Sequence, residues 1–276
     1  MIRADMHVHT YCSDGLQSPS QVIEAALRRK VGLVAITDHD NMNACEQFKN
    51  LAAQAKITAV DGIEISAYSD VKVHILGYNV DYNCREYAEY YRQNVECAEA
   101  RTRDILQKLK KRGINLTMEE VIRERVCNRS PIHSTYIARA AARKGYGKSP
   151  WDFYLGFLVA GKCGYSALGR PSPEEAVKTI ARCGGISSLA HPGRITLSKE
   201  KQLELIDSLI SYGLNGIEAV YSGHTDSDTA YYKEIAADKK LLVTGGSDTH
   251  FAEGNREVGV PEFYPSDNLL SALKVI

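Results

Sequence analysis

The chain lacks any apolar run near the roughly 20 residues that a membrane-spanning helix needs, so no segment reads as a span. It also lacks an excess of either charge: Lys and Arg number 34, Asp and Glu number 34, and the formal net charge is zero. That excludes a protein that coats long nucleic acid by bulk charge and leaves room only for a local basic patch. The seven cysteines (12, 45, 84, 97, 127, 163, 183) form no C-x-x-C pair. Their odd number and scatter exclude a disulfide framework or a zinc ribbon and fit reduced thiols in a cytoplasmic protein. The start, Met1-Ile2-Arg3-Ala4-Asp5, runs straight into a polar, His-rich segment and shows no leader pattern. What is present is ordinary for a globular protein: 44% hydrophobic and 25% charged residues over 276 positions, enough to bury a sizeable core.

Short β-rich runs alternate with amphipathic helices. Leu33 to Thr37 is apolar, bounded by Gly32 and Asp38, and reads as a buried strand. Before it, Ser18-Pro19-Ser20-Gln21 is a capping box with Pro at the first helical position, and Val22, Ile23, Ala26 and Leu27 follow at helical spacing. Ser172-Pro173-Glu174-Glu175 repeats that signal ahead of a strand at 186–189. Further strands are expected at 57–60 with 63–65, 71–78, 214–220 and 241–244, and helices at 45–55, 199–212, 229–239 and 266–275. The alternation predicts parallel strands joined by right-handed crossovers. About seven strands favour a closed or nearly closed barrel, a distorted (β/α)7 fold.

One stretch breaks the pattern. From 81 to 161 no good strand is found, while Tyr87, Tyr91, Val95, Ala98, Thr102, Ile105 and Leu109 step by three or four along one helix face. Residues 81–150 hold 15 Lys and Arg against 9 Asp and Glu. The expectation is a barrel built from 1–80 and 162–276, with 81–161 as a basic helical insertion. Its charges form either a solvated face or a lid that draws an anionic substrate to the barrel mouth.

The histidines carry the chemistry. His7-Val8-His9 follows the N-terminal strand, Asp14 comes soon after, and Asp38-His39-Asp40 ends the strand at 33–37. Glu64 and His74 fall on the next two strands, His191 ends 186–190, and Asp248-Thr249-His250 follows the last strand. A barrel gathers its active site at the C-terminal ends of its strands, where nearly all of these lie. Residues at i and i+2 share a strand face, so His7 and His9 can meet one ion. A single strand-end histidine is usually a satisfied core residue. Six histidines together with these carboxylates are not, because converging carboxylates repel unless cations join them. A Zn²⁺-like ion takes four or five ligands, so this many candidates fits two or three divalent ions. Mixed imidazole and carboxylate donors suit Mn²⁺, Fe²⁺ or Zn²⁺ alike.

These motifs (His7-x-His9, Asp14, Asp38-His39, Glu64, His74, Ala190-His191-Pro192 and Asp248-x-His250) resemble, in order and over nearly the whole chain, those of the PHP (polymerase and histidinol phosphatase) family of metal-dependent phosphoesterases. The resemblance implies one ion on His7, His9, Glu64 and Asp248. A second would share Glu64 with His74 and His191, and a third would sit on Asp14, His39 and His250. It is closest to the stand-alone branch that acts on nucleotides and small phosphate esters, whose members also carry a helical insertion after the fourth strand.

The chemistry implied is attack on phosphorus by a hydroxide bridging the two ions that share Glu64. Arg129 and Arg194 look like that branch's phosphate-contacting arginines, since an Arg fork holds phosphate in a bidentate grip; a plain surface charge is the alternative for each. His133 resembles the branch's insertion histidine. His224 is the best candidate to protonate the leaving oxygen, against a loop histidine on the barrel rim. The expected substrate is a small phosphorylated molecule: a nucleotide, nucleoside bisphosphate, sugar phosphate or cyclic phosphodiester. Alternatives are a 5′-3′ exonuclease on short RNA or DNA, a histidinol-phosphate phosphatase, a non-catalytic scaffold module, or an amidohydrolase; the last normally has a strand-end Lys.

Overall fold

The computed structural model describes residues 1–250 and 256–276. Strands β1 (Ala4–Val8), β2 (Leu33–Ile36), β3 (Thr58–Tyr68), β4 (Lys72–Tyr78), β5 (Ile186–Leu189), β6 (Gly216–Tyr221) and β7 (Leu242–Gly246) lie in sequence order in one sheet. The two edges of that sheet meet. Val8 bridges Thr249, the His9 amide donates to the Thr249 carbonyl at 3.1 Å, and the Asp248 amide donates to the His7 carbonyl at 2.8 Å. Buried Asp5 clamps the seam by accepting from the amides of Ser247 (2.9 Å) and Gly259 (2.7 Å). The result is the seven-stranded, nearly closed barrel that the alternation predicts.

Helices α1 (Pro19–Arg28) and α2 (Cys45–Ala55) follow the first two strands. The insertion contributes α3 (Arg85–Lys110), α4 (Met118–Ile122), α5 (Ser134–Arg143) and α6 (Pro150–Phe153), the last running into a π-helical turn at Tyr154–Leu158. Helices α7 (Pro173–Arg182), α8 (Lys199–Ser211), α9 (Asp226–Lys239) and α10 (Asp267–Ala272) complete the wrap. Both capping boxes form: Ser18 accepts from the Gln21 amide and Ser172 from the Glu175 amide, each with the reciprocal bond. A third box, Thr225 with Asp228, starts α9 earlier than the expected 229. Among the described residues no helix is long and apolar enough to cross a membrane.

One strand departs from the expected parallel order. Residues 69–71 alone join β3 to β4, far too few for a crossover, so β4 runs antiparallel to both β3 and β5. His74 therefore lies near the start of β4, not its end, and it is this reversal that brings it to the mouth where the parallel strands finish. The segments expected as two short strands at 57–65 are one continuous strand of 11 residues. Because β4 ends at the foot of the barrel, the chain must climb back. The chain is back at the mouth by the first turns of α3, where Tyr87 and Tyr90 meet the loop after β2, and the rest of its 26 residues, about 39 Å in all at helical rise, runs on into the insertion.

The insertion has its own core, with Leu109, Val121, Ile137 and Phe153 wholly buried in one cluster. Burying side chains of that size stabilises by about 1.5–3 kcal/mol each. The insertion is also fastened to the barrel's loops. Tyr87 accepts from the Met42 amide (2.9 Å), Tyr90 donates to Asp40 (3.1 Å), Tyr136 donates to the Ser13 carbonyl, and Arg139 donates to the Asp14 carbonyl (2.7 Å). The tyrosines of α3 thus tie the insertion to the loop after β2, the same loop that carries His39.

Candidate metal centre

A β-bulge between Asp5 and Val8 resets the register of β1. Val8 then packs outward with Val22, Ala26 and Phe48, while His7 and His9 turn inward. Such re-aiming of side chains is what bulges do. Asp38 stabilises the loop that follows β1: its carboxylate accepts from the Thr10 amide (2.7 Å), the Thr10 hydroxyl (2.6 Å) and the Ser13 hydroxyl (2.5 Å). Asp40 is occupied likewise by the Ser66 amide and Tyr90. Neither of these two carboxylates points its oxygens at the histidines.

Glu64 is the hub. Its Oε2 lies 3.3 Å from His7 Nε2 and 3.2 Å from His9 Nε2, and Asp248 Oδ1 is 3.5 and 3.2 Å from the same two nitrogens. Four tetrahedral donors at about 2.0–2.1 Å from one ion stand roughly 3.3–3.4 Å apart, so this quartet fits a shared cation. The other oxygen, Oε1, meets His74 Nδ1 at 2.7 Å and His191 Nε2 at 3.0 Å. The second ring nitrogens, His74 Nε2 and His191 Nδ1, are buried with no hydrogen-bond partner. A third group joins Asp14, His39 and His250 with His9: His250 Nε2 is 3.1 Å and His39 Nε2 3.9 Å from Asp14 Oδ1. His39 Nδ1 also reaches Glu64 Oε2 at 3.0 Å, so it borders two of the groups.

The electrostatics of the cluster are set by its burial and by its own opposed charges. Burial pushes the Glu64 carboxyl up, but His74, His39 and His7 hold it well below the usual range. Asp14 and Asp248 are held down in the same way, by His250 and His39 and by His7 and His9 respectively. Burial pulls His9 down, yet Asp248 and Glu64 raise it to about 10. His7 is likewise raised well above its ordinary value by Glu218, Glu64 and Asp248 against burial. His74 and His191 are driven the other way, chiefly by burial. The carboxylates and the imidazoles of His7 and His9 thus favour one another's charged forms, a charge balance that divalent cations would also supply.

The groups open onto a cavity of about 910 Å³. One wall is apolar and belongs to the insertion, with Ile105, Ile137, Trp151, Tyr154 and Leu158. The cations around it are Lys72, Arg101, Arg139, Arg170, Arg194 and Arg256. Sequence reasoning finds Arg194 among these and misses the rest. Arg194 donates to Asp248 Oδ2 (3.1 Å) and to the Tyr221 hydroxyl (3.3 Å), which itself donates to the same oxygen (3.0 Å). Arg129 is exposed and lies outside the cavity lining; its carbonyl accepts from Tyr91. His133 does line the cavity, with its ring 6.1 Å from that of His39; burial, against the pull of Asp14, brings it down to about 3. His224 does not. Its Nε2 accepts from the Gly193 amide (3.1 Å), which helps hold the His191–Arg194 turn, and its Nδ1 is tied to the Ala219 carbonyl of β6 (3.0 Å).

Comparison with known proteins agrees with this geometry. The PHP domain pattern matches residues 5–146. The chain is 31% identical over 268 residues to the 3′,5′-nucleoside bisphosphate phosphatase of Chromobacterium violaceum, spanning 96% of this chain and 93% of that one. It is 29% identical to the phosphoribosyl 1,2-cyclic phosphate 1,2-diphosphodiesterase of Eggerthella lenta (89% and 93% covered) and 28% identical to the 5′-3′ exoribonuclease Rnm of Salmonella typhimurium (89% and 84% covered). A solved Chromobacterium violaceum structure, described as an amidohydrolase with bound sulfate, superposes at a TM-score of 0.87 with 27% identity over 99% of this chain and 96% of that one. A candidate metal-dependent phosphoesterase from Bifidobacterium adolescentis superposes at 0.86, also with 27% identity, over 98% and 95%. With its seven-stranded barrel, its Glu64-centred cluster and these matches along its length, the chain belongs to the PHP domain family.

Proposed function

We infer that this chain is a metal-dependent phosphoric ester hydrolase acting on small phosphorylated molecules, with two to three divalent ions at the barrel mouth. One observation carries this: both oxygens of Glu64 are engaged, one by the His7, His9 and Asp248 quartet and the other by His74 and His191. His7, His9, Glu64 and Asp248 would hold one ion, Glu64 with His74 and His191 a second, and Asp14, His39 and His250 a third. Bound there, the ions would neutralise phosphoryl oxygens and bring the pKa of a shared water toward neutrality. Arg194 keeps Asp248 oriented and presents its remaining donors to the cavity. The apolar wall excludes water from the ester's organic part, and the surrounding arginines attract its anionic groups. A cavity of this volume accommodates one nucleotide-sized molecule.

The exonuclease reading has its own support in the stacked pair Trp151 and Tyr154, whose ring centroids are 5.6 Å apart, with Trp151 exposed at the cavity wall. Stacking platforms of that kind hold single-stranded bases. Phosphate release should be measured, with Mn²⁺ added, from nucleoside monophosphates, 3′,5′-bisphosphates, sugar phosphates, cyclic phosphates and short RNA. Release from one small-molecule class is the expected outcome. Stepwise shortening of RNA with silence on the small molecules would put the exonuclease first.

Arg194→Ala should lower kcat/KM for the released class by about 10- to 100-fold, the worth of one or two charge-assisted hydrogen bonds. Unchanged kinetics would remove Arg194 from the site.

A further inference from the structure

We propose that Glu218 is a positioning residue that sets two metal ligands at once, the ring of His7 and the backbone of His191. This role rests on the ligand assignment above. Glu218 lies in β6, is wholly buried and takes no part in the cavity lining. Its Oε1 is 2.9 Å from His7 Nδ1, and its Oε2 accepts from the His191 amide at 2.7 Å.

A carboxylate oxygen there can only accept, so the hydrogen on His7 belongs at Nδ1. That leaves the Nε2 lone pair for an ion, and Nε2 is the atom that faces His9, Glu64 and Asp248. Partners of this kind fix the tautomer and direction of metal-binding imidazoles. The second bond acts on the backbone. His191 has φ +29°, in the left-handed region that a side chain beyond Cβ disfavours. The Glu218 bond at its amide, with His224 gripping the Gly193 amide, holds the turn that aims His191 Nε2 at Glu64. One side chain from β6 thereby aligns a ligand on β1 with a ligand that follows β5.

Glutamine has nearly the same shape and cannot serve both bonds. If its oxygen accepts from His191, its NH₂ meets His7 Nδ1 and drives the ring hydrogen to Nε2, where it blocks the ion. If its oxygen accepts from His7, two donors oppose each other at His191.

The test compares the full-length wild type with Glu218→Gln, both stripped by chelator and titrated with Mn²⁺ alone. Binding would be read by calorimetry and by the electron paramagnetic resonance of free Mn²⁺, and folding by circular dichroism. The folded variant should bind Mn²⁺ about 10- to 100-fold more weakly. Its activity should recover at raised Mn²⁺ with substrate KM unchanged. In the Zn²⁺-loaded wild type, ¹⁵N spectroscopy should show His7 protonated at Nδ1, a readout that stands even if the variant fails to fold. Unchanged Mn²⁺ affinity in the variant, or a His7 proton on Nε2 in the wild type, overturns the role of Glu218 and leaves the ligand assignment standing. A wild-type chain that binds no Mn²⁺ overturns the assignment itself, and this role with it.

Discussion

Asp248→Asn and His9→Ala are each expected to lower kcat/KM by roughly a thousandfold or more, a loss of about 4 kcal/mol of transition-state stabilisation, while the barrel stays folded. Both residues belong to the quartet around Glu64 Oε2, and their atoms are 3.2 Å apart. His9→Ala removes one of the four donors, and Asp248→Asn keeps an oxygen but loses the negative charge that would hold a divalent ion there. Metal content, measured by elemental analysis, should fall with activity. The fold should survive because the seam between β1 and β7 depends on backbone bonds and on Asp5, not on these side chains. Folded, metal-replete variants with full activity would refute the assignment.

Removing the metal should lower the melting temperature by about 10 °C near pH 8.5 and by clearly less near pH 6. The size follows from ions present at about a thousand times their Kd, worth about 4 kcal/mol, and from about 2–4 °C per kcal/mol for a chain of this length. The pH trend follows from the ion-free cluster. His9 at about 10 lies above its unfolded value of about 6.5. Its contribution is complete below about 6.5 and is lost as pH rises through 10. Asp14, Glu64 and Asp248 are depressed, so theirs is present above about 4.5 and lost as pH falls. Burial holds His74, His191 and His133 below the ordinary value, which costs stability as pH falls below about 6.5, so the ion-free protein is best stabilised near pH 6.5. Ions compete with the imidazole protons and bind more firmly as pH rises. Calorimetric scans with and without chelator at the two pH values give the comparison. Identical melting temperatures throughout would sink the cation cluster.

Much of this protein is readable in its residue order, for identifiable reasons. Helical spacing along Tyr87, Tyr91, Ala98 and Leu109 marks α3, and the boxes at Ser18 and Ser172 mark α1 and α7, because each rests on residues within a few positions of one another. The histidines and carboxylates at successive strand ends announce a shared site because barrels converge there. Glu218 left a weaker signal: a lone carboxylate between Ile217 and Ala219 in an apolar strand, which burial permits only with partners. Arg129 and Arg194 were alike as loop arginines, yet Arg194 reaches Asp248 while Arg129 faces solvent.

Residue order marks the histidines and carboxylates as candidates for one site, since most of them follow strand-like runs, although His74 starts its strand and Glu64 lies within its own. Which of them share an ion is a long-range matter. It depends on the bulge that turns His7 and His9 inward, on a three-residue turn that reverses β4 and delivers His74, and on the contacts of His7 and His191 with Glu218 more than 25 residues away. Periodicity reports the face of a single element. The meeting of faces from different elements is set by register, strand direction and packing, which no short window of sequence contains.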